Sequence, residues 1–532
     1  MSTAVPSQIA RLLRLSLLVV LPLPLACRGG EPGTPSRRTL IDSRDTYDPR
    51  SLDPARSTDV PTGRAVSYVF EGLTRFTADA RLEPALATRW DLAPDGLTYT
   101  FHLRAGVFFQ DGTPLSARDV VHSFTRALDP ATRGSGAVPL LPIRGAADFA
   151  DGKAPSVSGL AAPDDSTVVI TLAQPLATFP KLLAMPAASV LPASAPADVS
   201  DHPVGTGPWK LVTWKHDDYL LFARNEHYWG GAPEADSLRA RIIAEPSTAV
   251  AEFESGNVDV VEIPPDETET WEHDPARKRL LTDVPALQLV YVAINTTRGP
   301  LRDPRVRQAI NDAVDTRTIV QQLIHGRGRV AAGVIPPSLG GADTTRAPYA
   351  YDVARARQLL AAAGYPKGID VELWTGTTPI MVRVAEALQG YLAAAGIRAT
   401  IEQRDAATAR AAARRGETDL FLKDWYADYP DAEDFLYPLL DSANMGPGGN
   451  VSFYHNPAFD RLLDQARRQA DEAKRNLLYR QADSLAFADA PMLYLYFYTQ
   501  LYAVQPWIEG FTPPVIFNGQ RWTHARFRPP GR

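Results

Sequence analysis

Residues 99–120 read YTFHLRAGVFFQDGTPLSARDV, and along this stretch the pattern changes from that of a strand to that of a helix. The first apolar residues alternate with polar ones, as in a half-buried strand: Tyr99, Phe101 and Leu103. Asp111-Gly112 is a turn dipeptide. Ser116 is a helix-capping residue, with Asp119 three positions later in the first helical turn. The stretch therefore predicts a strand, a turn and a helix.

The same signals occur on both sides of this stretch. Caps followed by apolar stripes at helical spacing begin at Asp303 and Asp352, and further helices are expected over 379–395 and 457–470. No internal repeat is detectable, and the mixture of strands and helices predicts an α/β fold. Single cores stop growing at about 250–300 residues. A chain of 532 residues is therefore expected to form two or more lobes.

A dense apolar and aromatic run covers residues 491–498 and predicts a strand. Because side chains alternate along a strand, one face is expected to carry three tyrosines: Tyr494, Tyr496 and Tyr498. The opposite face would carry leucine and phenylalanine. Two interpretations remain open, in which the tyrosine face lines a cleft or both faces are buried.

Composition and motifs exclude several classes of function. A net charge of −6, with basic residues spread along the chain, argues against a nucleic-acid partner. The nine histidines show no close metal-binding spacing, and no nucleophile elbow or phosphate-binding loop occurs. We therefore expect no metal, no cofactor and no catalytic site.

The single cysteine, Cys27, directly follows a pattern typical of a bacterial signal peptide over 1–26. The pattern consists of positive residues and a short apolar run: Arg11, Arg14 and residues 15–26. Leu23-Pro24-Leu25-Ala26-Cys27 resembles a lipobox, although Pro24 stands where that pattern has leucine. The resemblance implies a lipid-modified Cys27. The residues after it are rich in glycine, proline and arginine and predict a flexible tether over 27–39. The alternative is an ordinary secretory signal and a secreted protein.

A series of motifs follows in one order along the mature chain: Leu52-Asp53-Pro54, Phe70-Glu71-Gly72-Leu73, Asp111-Gly112-Thr113-Pro114, Gly205-Thr206-Gly207-Pro208-Trp209 and Asp303-Pro304-Arg305-Val306-Arg307. The series resembles the family 5 extracellular solute-binding proteins, which include the oligopeptide- and dipeptide-binding receptors of bacterial ABC importers. The resemblance implies a two-lobed periplasmic-binding-protein fold, type II-like, with an extra inserted subdomain and a ligand cleft between the lobes.

The resemblance also implies the domain boundaries. Lobe I would combine 40–75, 203–297 and 505–532, the inserted subdomain would cover 76–202, and lobe II would cover 298–504. Crossings near Thr296-Thr297 and Gln505-Pro506 would act as hinges that close the lobes over a ligand.

The motif WYADYPD over 425–431 resembles the one in which oligopeptide-binding relatives hold the α-ammonium of the ligand, here with Asp428. An ammonium carried into a closed cleft loses its hydration and needs a fixed carboxylate. The other predicted ligand-binding residues are Trp425, Tyr426, Val60, Tyr498 and Arg414. Leu422 and Lys423 stand where relatives often carry an arginine.

Each of these residues has an expected role. Trp425 and Tyr426 would flank the first peptide residue, and extended backbone near Val60 would pair with the ligand as an added strand. Tyr498 would line the cleft, and Arg414 is a candidate for holding the C-terminal carboxylate of the ligand. Alternatively, Asp428 is a turn aspartate, and the two aromatic residues belong to the core.

The expected function is that of a monomeric receptor in the periplasm or at the cell surface. It would capture short peptides by hinge closure and deliver them to an ABC permease and its ATPase subunits. Two alternatives remain: the same fold binding a sugar, a nickel complex or haem, and a secreted hydrolase.

Overall fold

The structure of the protein, a computed structural model, describes residues 40–134, 136–196 and 198–528. The expected signal peptide, Cys27 and the tether lie outside the described residues. Within the described ranges, no helix combines the length and the apolar character needed to cross a membrane.

The strands are β1 (Leu40–Asp45), β2 (Thr74–Phe76), β3 (Leu82–Pro84), β4 (Ala87–Leu92), β5 (Thr98–Leu103), β6 (Leu160–Asp164), β7 (Thr167–Thr171), β8 (Trp209–Lys215), β9 (Tyr219–Arg224), β10 (Ser237–Ile242), β11 (Val260–Glu262), β12 (Leu281–Ile294), β13 (Gly328–Val330), β14 (Ile369–Thr375), β15 (Ile397–Gln403), β16 (Leu420–Tyr426), β17 (Met492–Val504), β18 (Ile508–Glu509) and β19 (Arg526–Phe527).

The helices are α1 (Val60–Val69), α2 (Ala117–Leu128), α3 (Ala146–Ala150), α4 (Phe179–Leu182), α5 (Pro246–Glu254), α6 (Thr268–His273), α7 (Pro275–Lys278), α8 (Pro304–Asp312), α9 (Thr316–Thr318), α10 (Val353–Ala362), α11 (Pro379–Ala394), α12 (Ala406–Arg414), α13 (Glu433–Leu440), α14 (Pro457–Arg468) and α15 (Glu472–Asp489). The predicted α/β fold is confirmed.

Three larger sheets organise these elements. The first has the order β1-β10-β9-β8, and the second, within the predicted inserted subdomain, has the order β4-β5-β7-β6. The third has the order β11-β17-β12-β16-β14-β15, with β13 paired to β17. Helices α8, α10 and α11 cover one face of the third sheet, and α12 to α15 cover the other. This sheet is therefore buried between two helical layers, as mixed sheets in α/β proteins are.

The elements predicted from local spacing are confirmed. Strand β5 and helix α2 form from the stretch over 99–120, and Asp119 Oδ2 accepts hydrogen bonds from the backbone N–H of Ser116 at 2.8 Å and from its hydroxyl at 2.7 Å. Helices α8, α10, α11 and α14 occupy the positions predicted for them.

The prediction that three tyrosines share one face of β17 is wrong. Tyr494 pairs with Tyr291 of β12 and Tyr496 pairs with Val290, so Leu495 is an extra residue that forms a β-bulge. The bulge places Tyr494 in the core on one face of the sheet and Tyr496 in the core on the other. At these positions both faces of the strand are buried, and Tyr498 is half-buried.

The predicted boundary at 297/298 also differs from the structure. Strand β12, assigned to lobe I, lies in the middle of the third sheet and pairs with both β16 and β17. Because β12 and β17 are antiparallel, Ile294 and Val504 lie at opposite ends of the pair, while Leu281 lies opposite Ala503. Residues 281 and 503 therefore lie side by side, as the two crossings of a hinge between lobes must.

Candidate functional site

The segment from Trp425 to Asp434 leaves strand β16, turns and enters helix α13. It folds around the buried carboxylate of Asp434, the second residue of the helix. Asp434 Oδ2 accepts the backbone N–H of Asp428 at 2.8 Å and the Nε1–H of Trp425 at 3.3 Å. One carboxylate oxygen thus joins the strand end, the turn and the helix start, and it orients Asp428.

The carboxylate of Asp428 is half-buried. Among the described residues, no side chain or backbone group donates a hydrogen bond to it, and no cation pairs with it. Burial raises the pKa of Asp428 to about 6, because a carboxylate withdrawn from water favours its neutral form. The site thus contains a carboxylate that lacks a counterion.

Asp434 makes the site more acidic. Burial raises its pKa well above the ordinary value, and the neighbouring charge of Asp428 raises it further. Its hydrogen bonds from Asp428 and Trp425 act in the opposite direction. The carboxyl groups of Asp428 and Asp434 are therefore close enough to repel one another, and a positive charge beside them would stabilise both ionised forms.

Asp431 and Glu433, which lie between Asp428 and Asp434 in the chain, each have a cation as partner. Asp431 Oδ2 accepts from Lys181 Nζ at 2.6 Å, and Glu433 Oε1 accepts from Arg467 Nε at 2.6 Å. Thr178 also donates to Glu433. Lys181 and Thr178 belong to the region predicted as the inserted subdomain, so these bonds join that region to the segment that carries Asp428.

The predicted aromatic neighbours lie on opposite faces of β16. Trp425 packs against the core that α12 to α15 cover. Tyr426 packs against the core of the inserted region, with its hydroxyl 3.4 Å from the Val515 carbonyl oxygen and its ring centroid 6.4 Å from that of Phe517. Both side chains are half-buried. Trp425 therefore contacts Asp434 directly, whereas Tyr426 packs against residues near the C-terminus.

Extended backbone near Val60 was predicted; Asp59 is extended, with φ −140° and ψ 161°, but Val60 itself is helical. Val60 is the first residue of α1, because Asp59 caps the helix by accepting from Thr62 N–H at 3.0 Å, and Pro61 occupies an early helical position that favours helix initiation. The backbone at Val60 is therefore unavailable as a strand for pairing with a ligand.

Tyr498 and Arg414 occupy other parts of the surface of the third sheet and its helices. Tyr498 lies beside Glu262, whose pKa is raised by burial and which accepts from the Gln500 amide at 3.2 Å. Arg414 is exposed at the end of α12. Of the predicted site residues, the structure brings Asp428 and Trp425 together around Asp434, which was not predicted. Acidic residues are common in the first turn of a helix, so the sequence did not distinguish Asp434 as a functional residue.

A cavity of about 490 Å³ lies elsewhere on the third sheet and contains none of the predicted site residues. Its lining includes Arg329, Arg346 and Phe497. Within the ranges that the structure describes, no group of three or more histidine, cysteine, aspartate or glutamate side chains is placed to hold a metal ion.

The chain is similar in sequence to proteins of known function. The family model "Bacterial extracellular solute-binding proteins, family 5 Middle" matches residues 81–447. Heme-binding protein A of Haemophilus influenzae is 32% identical over 457 residues, covering 81% of this chain and 81% of that protein. The glutathione-binding protein GsiB of Escherichia coli strain K12 is 31% identical over 456 residues, covering 83% of this chain and 86% of that protein.

A solved structure gives the same result for the fold. The ABC transporter-associated periplasmic binding protein DppA from Helicobacter pylori, in complex with the peptide STSA, superposes with a TM-score of 0.79 at 28% identity. The superposition covers 93% of this chain and 99% of that chain. The two-lobed periplasmic-binding-protein fold predicted from the motifs is therefore confirmed.

Proposed function

The chain belongs to the bacterial extracellular solute-binding proteins of family 5, extracytoplasmic substrate-binding components of ABC importers, and we propose that it captures short peptides by their N-terminal ammonium group. The observation that carries the proposal is the Asp428 carboxylate, which is half-buried and lacks a cation among the described residues. The similar H. pylori protein holds a peptide.

The physical basis is the match between an ammonium and an incomplete carboxylate site. At 4 Å and an effective dielectric constant of 20, the two unit charges attract by about 4 kcal/mol before desolvation is subtracted. The ligand ammonium would also relieve the repulsion between Asp428 and Asp434. Closure near the crossings at 280 and 505 then encloses the peptide, and opening delivers it to the permease and its ATPase subunits.

The test compares ligands that differ only in the amine. Isothermal titration calorimetry of the purified protein with Ala-Ala-Ala and with N-acetyl-Ala-Ala-Ala would measure the two affinities. We expect measurable binding of the free amine and a loss of about 30-fold or more on acetylation, since acetylation removes a charge-assisted contact. Equal affinities for the two peptides would contradict the assignment of Asp428.

The remaining ligand classes are separated by native mass spectrometry of the protein as purified. Co-purified peptides would support peptide capture. A bound sugar, nickel complex or haem would replace peptide capture by another solute in the same fold. Released hydrolysis products would indicate an enzyme.

We also propose that Cys27 carries a lipid that anchors the protein to a membrane. The lipobox-like order of residues 23–27 supports this. Fractionation of cells that express the full chain would compare wild type with Cys27→Ser. We expect wild type in the membrane fraction and Cys27→Ser in the soluble fraction. Wild type that is already soluble would contradict lipid anchoring.

A further inference from the structure

Residues 174–181, in the predicted inserted subdomain, bind the segment between strand β16 and helix α13. Lys181 Nζ donates to Asp431 Oδ2 at 2.6 Å. The hydroxyl of Thr178 donates to Glu433, and both of these side chains are buried. With chain crossings near 280 and 505, the two donors lie on one side of the hinge and the two acceptors on the other. These bonds therefore pass from one lobe to the other.

A backbone contact accompanies the side-chain bonds. Helix α14 ends at Arg468, and the carbonyl groups of a last helical turn lack partners within their own helix. The backbone N–H of Ala177 donates to the carbonyl oxygen of Arg467 at 2.9 Å. A residue of one lobe thus satisfies the end of a helix in the other lobe.

The acids of this contact are held in place by residues of their own lobe. Asp431 Oδ1 accepts the backbone N–H of Glu433 at 3.0 Å, while its other oxygen binds Lys181. Glu433 Oε1 accepts from Arg467 Nε at 2.6 Å, while its other oxygen binds Thr178. Each acid therefore keeps one bond when the lobes separate and gains a second bond when they come together.

The contact lies far from the crossings and close to the proposed ammonium site. Asp431 follows Asp428 by three residues. The strand that leads into this segment, β16, ends at Tyr426, which pairs with Gln288 of β12. Gln288 is seven residues along β12 from Leu281, or roughly 20 Å of strand. At that distance a modest rotation about the crossings separates donors from acceptors, because hydrogen bonds weaken beyond about 3.2 Å.

We propose that the bonds of Thr178 and Lys181 to the acids of the other lobe form a closure latch, which is made when the lobes close and broken when they open. The inference rests on the hinge closure in the proposed function and goes beyond it, because it assigns retention of the ligand to residues outside the ammonium site. The latch bonds involve no ligand atom, so they stabilise the closed form by the same amount for every ligand. The latch therefore sets the rate of release and not the choice of peptide.

The experiment measures how fast bound peptides leave. Stopped-flow tryptophan fluorescence gives the association and dissociation rates of Ala-Ala-Ala and of Leu-Gly-Gly, and calorimetry gives the affinities. The proteins are wild type, Lys181→Met, Lys181→Arg, Thr178→Val and the control Lys153→Met. Lys153 also forms an ion pair, with Asp151 at 2.7 Å, but both residues are exposed and belong to the inserted region.

We expect Lys181→Met and Thr178→Val each to release both tripeptides about 10-fold faster, the lower end for loss of a hydrogen bond to a charged group. The factor should be the same for the two peptides, and the association rates should stay near those of wild type. Lys181→Arg keeps the charge and should recover most of the loss. Lys153→Met should behave as wild type does.

Two outcomes overturn the latch. In one, Lys181→Met and Thr178→Val lower the free energy of unfolding in urea but leave both dissociation rates unchanged, as expected for a contact that stays made in the open form. In the other, the two peptides are affected by different factors, as expected for residues that touch the ligand. Both outcomes leave peptide capture intact, since wild type still binds the tripeptides.

A wild type that binds neither tripeptide would instead contradict the proposed function. The latch is then decided without ligand, because its bonds favour the closed form whether or not a ligand is bound. Small-angle X-ray scattering compares wild type with the double variant Thr178→Val, Lys181→Met. A larger radius of gyration in the double variant supports the latch, and an equal radius overturns it.

Discussion

Four acids in the seven residues 428–434 divide into two kinds. Asp431 and Glu433 each have a cation at 2.6 Å, from Lys181 and Arg467. Asp428 and Asp434 have none among the described residues, and burial raises the pKa of both. The first pair is complete within the folded chain and joins two regions of it, whereas the proposed function requires a ligand to complete the second pair. A missing counterion, rather than acidity, therefore distinguishes Asp428 and Asp434 from the other two acids.

The largest expected effect is on ligand affinity and tests Asp428, one of the two acids without a cation. Asp428→Asn keeps the side-chain shape but removes the charge that faces the ligand ammonium. We expect a loss of roughly 2–5 kcal/mol in affinity for a free-amine tripeptide, measured by calorimetry. Asp464→Asn, on the exposed surface of α14, serves as the matched control and should bind as wild type does. Unchanged affinity in Asp428→Asn would place the ammonium elsewhere.

The next largest effect is on stability and tests Glu433, one of the two acids that have a cation. Arg467→Met removes the partner of the buried Glu433 and also the guanidinium that lies 3.7 Å from the Tyr437 ring centroid. We expect the free energy of unfolding in urea to fall by about 3 kcal/mol, because a buried carboxylate is left without its cation.

Arg468→Met is the control for this change. Arg468 is exposed and, among the described residues, donates only to Gln174 Oε1, at 2.9 Å, so the variant should lose little stability. Equal losses in the two variants would show that Glu433 does not depend on Arg467.

The smallest expected effect is a gain in stability, whereas the other two effects are losses. It distinguishes an acid without a cation from one that is paired. The raised pKa of Asp428 means that its neutral form suits the ligand-free fold, so its favourable contribution is present below about pH 4 and is lost as the pH rises through about 6. Asp428→Asn should therefore raise the ligand-free free energy of unfolding by about 1 kcal/mol at pH 8. The gain should disappear at pH 4. Urea unfolding at both pH values measures it, and a destabilised variant at pH 8 would contradict this account.

Local spacing was enough to predict several elements. The Ser116 and Asp119 cap and helix α2 depend on residues within one turn of each other, so the sequence contains all the information they need. The same kind of signal was present at Asp59 and Pro61, and it indicates a helix start at Val60 rather than a strand.

Other features depend on partners far away in the chain. The bulge at Leu495 arises from pairing with β12, more than 200 residues earlier, and the alternation of residues 491–498 contains no sign of it. The side-by-side placement of residues 281 and 503 follows from the same antiparallel pairing.

The sequence by itself determined the family and the α/β fold, and it led to the proposal for Asp428, because ordered motifs, local caps and one recognisable acidic segment are properties of neighbouring residues. The tertiary structure alone decided which acids in that segment are paired. Lys181 and Arg467 approach from α4 and α14 and reach Asp431 and Glu433, while no cation reaches Asp428 among the described residues. Whether an acid forms an ion pair depends on distances of a few ångströms between segments that are far apart in the chain, and only the folded chain sets those distances.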